Sequence, residues 1–578
     1  MIIRHLEGKD CIFILVCMIL VVAQVFLDLT IPQYMERITT ALQMGTSTDV
    51  IVTHGKTMVL YAFLSLLASV CAGACAAKAA SSLGRTLRRK QFENVSRFSK
   101  QDMDRFSASS LFTRSTNDVY TVQMFHSRSI ITIVKAPLTA ILAIAVISTS
   151  NWMWTTATTI TVLVVILSLA AVLSVSIPRV RRIQGLMDRI GRSSKENIEG
   201  IRVVRAYNAE KHQELRFETE NGEMLSNNIR LNTVMSLMPG IASGANNFLT
   251  LAIYLIGASV IMGSSHMDQI ELFSEMIMFT AYSGMIVNSI IILNFMMREM
   301  SRSMVSSARI EEVIGYEPTM YEGNDDPPEE AGTVSFRNVS FRYPSSDRMV
   351  LEDISFDVGK GSFVAIIGPT GSGKTTLASL VLRLMDPTSG TVLVDGLDVR
   401  DYRYHDLHSR ISYMAQKAPV FSDTVRNNVC LGHNPEDVDD KDVWRALSIA
   451  QADEFVQRLP KGLDSEISQH GRDLSGGQKQ RISVARAIYH GAGIMVFDDT
   501  FSALDFKTDR NLRESISEQL PGTTRIVVAQ RVNTIMDADM ILVLDGGRLV
   551  GSGTHAELLE NCPLYRDIAE SQMLSEVS

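Results

Sequence analysis

The first 300 residues alternate between long apolar stretches and strongly basic ones. Crossing a bilayer takes about 20 mostly apolar residues, and six segments are long enough, near 11–34, 57–80, 129–149, 153–177, 236–263 and 273–297. The segment after the second carries Arg85, Arg88, Arg89, Lys90, Arg97 and Lys100, and the one after the fourth runs from Arg179 to Arg205 with seven arginines. The short turn at Ser150-Asn151 and the stretch 263–272 hold no Lys or Arg. The positive-inside rule then puts both basic segments and both termini in the cytoplasm. This predicts a multi-pass protein of the cell (plasma) membrane, embedded in the lipid bilayer. A buried helical core is the alternative, and the charge alternation argues against it.

The basic segments are about 45 and 55 residues long and helix-compatible. Structureless loops of that length are uncommon, so each span is expected to continue as a helix into the cytoplasm and return. Turns are expected at Ser110-Leu111-Phe112-Thr113-Arg114 and Ala206-Tyr207-Asn208-Ala209-Glu210. An aromatic at such a tip suits docking into a groove; a solvated hairpin tip is the plainer reading. The sixth span runs on as a charged helix to Glu312, and the acidic stretch with Pro318, Pro327 and Pro328 reads as a linker. The division is 1–316 for a six-span, all-α transmembrane domain, 317–332 for the linker and 333–578 for an α/β domain. There Val334, Phe336 and Val339 alternate, and Phe363-Val364-Ala365-Ile366-Ile367 is a continuous apolar strand of a buried parallel sheet.

Composition agrees. A chain of 578 residues exceeds one core. Hydrophobic residues make up 46%, and the mean hydropathy is +0.11. A net charge of −8 gives no basic face, which excludes nucleic acid as a partner. The six cysteines match no zinc spacing; Cys71 and Cys75, one helical turn apart, suit packing or a redox or metal pair. The first apolar stretch runs into Asp28 and Pro32 without a small-residue cleavage site, as in a retained anchor.

The chemistry begins at Gly368-Pro369-Thr370-Gly371-Ser372-Gly373-Lys374-Thr375, between that apolar strand and a helix-compatible run from Thr376. Glycines turn backbone N–H groups toward phosphates, and the helix N-terminus adds positive potential. Residues Thr370 to Thr376 are therefore expected to hold ATP, with Lys374 on the β- and γ-phosphates and Thr375 on Mg²⁺. Ile494-Met495-Val496-Phe497 ends in Asp498, a carboxylate suited to the same Mg²⁺. Tyr343, before Pro344, is either an adenine-stacking ring or a surface tyrosine. Within the spans Gln24, Asp28, Asn246, Asn247, Asn288 and Asn294 are polar, and Met276, Met278, Met285, Met296 and Met297 crowd the sixth. These suit a promiscuous apolar cavity or ordinary helix packing. No Lys or Arg cluster lines the spans, which argues against a strongly anionic substrate.

Leu474-Ser475-Gly476-Gly477-Gln478 resembles the signature of ATP-binding-cassette (ABC) proteins, and six spans ahead of one cassette resemble a multidrug-exporter half-transporter of the type IV fold. The resemblance includes Arg114-Ser115-Thr116-Asn117-Asp118, Glu199-Gly200-Ile201-Arg202, Gln416 as the Q-loop and Ser502-Ala503-Leu504-Asp505 as the D-loop. It implies two cassettes closing head to tail around two ATP, with Gln416 joining Thr375 and Asp498 at Mg²⁺. Ser475, Gly476, Gly477, Gln478 and Asp505 then serve the partner's site, and the Ala206-to-Glu210 tip presses on the partner's cassette. The family usually has Glu where this chain has Asp499, His where it has Gln530, and Glu where it has Gln469. Asp499 is one methylene short for a base, and Gln530 keeps hydrogen bonding without a positive charge; Asp499 acting as a weaker base stays open. The resemblance is to the degenerate-site subunit of bacterial heterodimeric exporters. It implies a site that binds ATP and hydrolyses it slowly, a second, different half-transporter chain as partner, and export of small amphipathic compounds. Lipid or peptide export and a purely regulatory ATP-binding subunit are the alternatives.

Overall fold

The computed structural model describes the backbone of residues 2–148, 152–329, 331–344 and 346–577. The Ser150-Asn151 turn and the side chains of Asn294 and Met297 lie outside the described residues. The chain divides into one unit of Met1–Ser96 with Ser109–Tyr316 and a second of Arg97–Ala108 with Glu317–Ser578.

The first unit is helical: α1 (Gly8–Gln43) and α2 (Thr48–Val95), then, beyond the short α3 (Lys100–Phe106), α4 (Ala108–Thr113), α5 (Val119–Ile147), α6 (Trp152–Glu199), α7 (Ile201–Ala206), α8 (Glu210–Met262) and α9 (His266–Ile314). Six helical stretches are long and apolar enough to span a membrane. Their outward faces carry large exposed apolar side chains such as Phe63, Leu167, Phe248 and Leu255, as a hydrocarbon solvent demands. α1, α5, α6 and α8 each contain one interior proline, Pro32, Pro137, Pro178 and Pro239, which membrane helices tolerate where neighbours satisfy the freed carbonyls. Trp154, Ile253, Phe279 and Tyr282 fill the core, and the Tyr282 hydroxyl donates to the Leu29 carbonyl at 2.5 Å.

The membrane unit adds one pairing to the sequence reading and moves one turn. Asp28 is paired with Lys135 of α5 at 3.2 Å and accepts a hydrogen bond from Ser65 of α2, so a lysine inside the third span answers the acid of the first. The first cytoplasmic turn also lies earlier than expected. Ser110 to Arg114 is helical, and a π-helical turn at Arg114–Asp118 leads into α5. The chain reverses instead across 96–107. There Ser99 and Asp102 form a reciprocal capping box that opens α3, and Ser107 ends it at φ +54°. That signal is Ser-x-x-Asp, with no glycine or proline to announce it. The second turn is where it was expected: α7 stops at Ala206, α8 begins at Glu210, and Tyr207 is exposed between them.

The second unit holds two sheets. An antiparallel one has the order β2-β1-β4-β5, from β1 (Val334–Phe341), β2 (Leu351–Val358), β4 (Ser389–Val394) and β5 (Leu397–Asp398). The larger sheet runs β10-β9-β3-β8-β7-β6. Its members are β3 (Phe363–Ile367), β6 (Ile411–Met414), β7 (Ile494–Asp498), β8 (Thr524–Val528), β9 (Met540–Asp545) and β10 (Arg548–Gly553), all parallel except the edge strand β10. Ala365, Phe497 and Val527 pack on one face and Ile366, Val496 and Ile526 on the other. Both faces are covered, which is why these strands read as unbroken apolar runs. The helices are α10 (Lys374–Val381), α11 (Tyr404–Arg410), α12 (Val425–Val429), α13 (Asp440–Ile449), α14 (Asp453–Gln457), α15 (Gly476–His490), α16 (Phe506–Gln519), α17 (His555–Asn561) and α18 (Pro563–Val577). The stretch before β1 is held along this unit, with Gly323 N–H donating to Tyr402 O and Asp325 N–H to Asp401 O, both at 3.0 Å.

Candidate functional site

The site forms at the C-terminal edge of the parallel sheet, where such folds place their ligands. In register, Ile366 of β3 lies beside Val528 of β8, and Val528 beside Asp498 of β7. Strand order therefore gathers the loop after β3, the acids ending β7 and the segment after β8.

The loop 368–373 turns sharply into α10. Gly373 has φ +97°, and a Cβ there would lie 2.9 Å from the Val350 carbonyl; at Gly368 it would lie 2.0 Å from the Leu544 carbonyl. Both glycines are required by close backbone approach. Thr370 and Gly371 are exposed at the tip, and Ser372 is buried beneath it. The Lys374 ammonium folds over the loop and donates to the Gly368 and Pro369 carbonyls at 2.9 and 2.8 Å. Burial lowers its pKa, and the charges of Asp499 and Asp498 work in the opposite direction. A glycine-lined backbone cradle at a helix N-terminus, with one lysine beside it, fits the phosphates of a nucleotide. Tyr343 packs beside the start of α10 with its hydroxyl 3.1 Å from Thr376 Oγ1.

Thr375 Oγ1 donates to Asp498 Oδ1 at 2.9 Å, and the Tyr413 hydroxyl donates to Asp498 Oδ2 at 3.2 Å. A hydroxyl and a carboxylate in contact are an oxygen donor set that could hold Mg²⁺. Burial raises the Asp498 pKa, against the pull of the Thr375 and Tyr413 hydrogen bonds; burial raises that of Tyr413 as well. Tyr413 escaped the sequence reading, although it stands three residues before Gln416 on the strand next to β7.

Asp499 is buried, in a left-handed backbone conformation at φ +52° and ψ +30°, which a short acid adopts more readily than most residues. Its Oδ2 accepts from Gln416 Nε2 at 3.1 Å and from Gln530 Nε2 at 2.8 Å. The expected Q-loop, base and switch positions thus meet on one carboxylate oxygen.

The signature segment is built separately. Ser475 caps α15, its N–H donating to Gln478 Oε1 at 2.8 Å and its Oγ accepting from the Gln478 N–H at 3.3 Å. Ser475 and Gly476 are exposed. A Cβ at Gly477 would lie 3.5 Å from the Ala503 carbonyl oxygen and 3.6 Å from Leu504 Cδ2. Asp505 caps α16 by accepting the Thr508 N–H at 3.0 Å, and that bond lowers its pKa. Gln469 opens a single 3₁₀ turn ahead of the signature, in which His470 has φ +61°.

Comparison with known proteins gives the family. Residues 14–290 match the ABC transporter transmembrane region, and residues 351–502 match the ABC transporter family. An uncharacterised ABC transporter ATP-binding protein of Mycobacterium tuberculosis is 34% identical over 534 residues, 91% of this chain and 90% of the relative. An ATP-dependent lipid A-core flippase of Pseudomonas fluorescens is 30% identical over 489 residues, 85% of this chain and 80% of the relative. Among solved structures, a bacterial Atm1-family ABC exporter with ATP bound superposes with a TM-score of 0.77 over 98% of both chains at 22% identity, a likeness of fold. With a membrane region and an ATP-binding region each matched in order along one polypeptide, this chain belongs to the ABC transporter family, as a half-transporter whose activity is ATPase-coupled transport across a membrane.

Proposed function

We propose that this chain is the slow-site subunit of a heterodimeric exporter that moves small amphipathic compounds out of the cytoplasm. The observation that carries the proposal is the Asp499 carboxylate, held on one oxygen by the amides of Gln416 and Gln530. A general base must present a free lone pair to water at about 2.6–3.2 Å. Asp499 is a methylene short of the family's glutamate, and its Oδ2 is engaged by two N–H donors. Gln530 can donate to the acid but carries no positive charge toward a γ-phosphate. Loop residues Thr370 to Thr376 bind the phosphates, and Lys374 leaves its carbonyl partners to meet them. Thr375, Asp498 and Gln416 hold Mg²⁺, which when bound neutralises phosphate charge. The exposed cap of α15 at Ser475-Gly476, together with Asp505, is presented to the partner's nucleotide, and a partner with Glu and His at the two changed positions supplies the fast site.

Within this proposal residues 1–316 form the membrane domain, 317–332 the linker and 333–578 the cassette, with both termini in the cytoplasm and the protein in the cell membrane. The substrate class is supported by a cavity of about 560 Å³ among α6, α8 and α9, walled by side chains such as Met235, Met238, Val287 and Phe295, with Asn246 and Asn288 as amides. None of its lining residues among those described is charged. Lipid export is the second reading, favoured by the flippase of Pseudomonas fluorescens; the uncharged wall favours less anionic cargo.

The test is steady-state ATPase of the purified chain alone against its Asp499→Glu/Gln530→His variant. Near-background wild-type turnover, restored by the double change, supports the proposal. Wild-type turnover already equal to that of the variant removes it and favours a homodimeric pump.

A further inference from the structure

The segment after β8 is held from behind by the C-terminal helix. α18 packs into the core through Tyr565 and Ala569, which join Val532 and Ile535 in one apolar cluster. The Tyr565 hydroxyl is 2.7 Å from His555 Nδ1 of α17, which fixes the helix against its predecessor. Tyr565, Ala569 and Gln572 stand at positions i, i+4 and i+7, so they share one helix face. From that face the Gln572 amide grips the switch segment with both of its ends. Its Nε2 donates to the Gln530 carbonyl at 2.7 Å, and its Oε1 accepts the Val532 N–H at 2.8 Å.

The pattern has a specific meaning. A carbonyl at one residue and an N–H two residues later are the pair that a parallel strand offers to a single neighbouring residue. β8 ends at Val528, and the last bond into the sheet is Ala529 N–H to Ile366 O at 3.1 Å. Beyond that edge the Gln572 amide takes the place of a peptide group and extends the pairing by one residue. Arg531, between the two gripped groups, lies over the Phe506 ring at 5.1 Å. From this fixed backbone the Gln530 side chain reaches Asp499 Oδ2, its Nε2 donating at 2.8 Å.

We propose that Gln572 is a positioning residue for ATP hydrolysis at this chain's own nucleotide site: it fixes the backbone from which the switch side chain at 530 is aimed, and so makes the C-terminal helix part of the switch. The inference rests on the reading of positions 499 and 530 as base and switch. Because Gln572 grips backbone atoms, it acts on whichever side chain stands at 530.

The experiment is Gln572→Met and Gln572→Ala in the full-length chain, each in the native background and in the Asp499→Glu/Gln530→His background, with exposed Ser571→Ala as control. Methionine keeps length and helix packing and removes both hydrogen bonds. In the faster background, kcat is expected to fall about five- to tenfold in both Gln572 variants, with KM for ATP unchanged, any fall in Tm small and the same in both backgrounds, and Ser571→Ala silent. Exchange of the Val532 amide with solvent is expected to accelerate at least about tenfold in Gln572→Met. The native-background rate reports whether the site is slow, and the ratio of each variant to its parent reports the clamp, so either can fail alone. A ratio within twofold of one despite faster Val532 exchange overturns the proposal, as does a loss of kcat that follows a fall in Tm.

Discussion

The Gln530 side-chain amide donates to Asp499 Oδ2 at 2.8 Å, on the oxygen that also takes the Gln416 amide. The two positions at which the chain departs from the family's Glu and His are therefore bonded to each other. Substitutions in direct contact do not add. Asp499→Glu alone leaves a longer acid still facing an amide, and Gln530→His alone leaves a short acid facing an imidazole. The double variant is expected to exceed the product of the single effects on ATP turnover, with a coupling of about 1 kcal/mol or more. A double-mutant cycle on steady-state ATPase measures it. Additivity within about 0.3 kcal/mol would make the contact incidental to hydrolysis.

Asp498 predicts opposite effects on stability and on binding. Burial holds its carboxyl above the ordinary range despite the Thr375 and Tyr413 hydrogen bonds. A carboxyl raised in the folded state favours folding most when protonated, and that contribution is lost as pH rises through the raised value. Asp498→Asn removes the charge, so without nucleotide the variant is expected to be more stable at pH 7, by about 1 kcal/mol. The difference should shrink at acidic pH, because the wild-type carboxyl takes up its own proton as pH falls through its raised value. Mg²⁺-dependent ATP binding should be lost in the same variant. Thermal melts at pH 7 and at acidic pH, with nucleotide titration, check both halves; a variant less stable at pH 7 would mean that the hydrogen bonds outweigh desolvation.

Much of this was legible in the chain, and the exceptions have physical causes. The phosphate loop could be read because glycine spacing records backbone geometry locally, and β3 and β7 because strands covered on both faces are uniformly apolar. The meeting of Gln416 with Asp499 spans 83 residues, and that of Gln530 with Asp499 spans 31; both follow from the order β6-β7-β8, which no local pattern encodes. The first cytoplasmic turn was misplaced because a capping serine and aspartate make it, where glycine or proline would have been sought. Gln572 gave no signal: a glutamine late in a polar helix is ordinary until its partners are seen to be backbone groups.

Lys135 was another residue that meant little until its partner was known. It pairs with Asp28 at 3.2 Å within the membrane-spanning helices, and Ser65 completes the acid's hydrogen bonding. Removing one partner leaves an uncompensated charge in a low-dielectric medium, and removing both does not. Lys135→Met is expected to destabilise the protein by about 1–3 kcal/mol, the pair being partly exposed, and Asp28→Asn/Lys135→Met by clearly less. Melting in one detergent, read side by side, is the check. A double variant as unstable as Lys135→Met would mean that the pair contributes through geometry beyond charge balance.

Asn288 separates a transporting subunit from a regulatory one. It stands exposed on α9 at the wall of the uncharged cavity, and Asn246 faces the same space from α8. An amide in an apolar wall favours substrates with a matching donor or acceptor, and one such hydrogen bond is worth about 0.5–1.5 kcal/mol. Asn288→Leu should therefore weaken transport of amphipathic compounds that carry an amide or hydroxyl by about two- to tenfold, and leave purely apolar ones unchanged or improved. A panel of paired compounds, differing only in that polar group and followed in vesicles containing the assembled transporter, reads the difference directly. A regulatory subunit contributes no wall to the pathway, so on that account the substitution lowers all rates together or none. A change in preference at constant ATPase activity would place cargo against α9 of this chain.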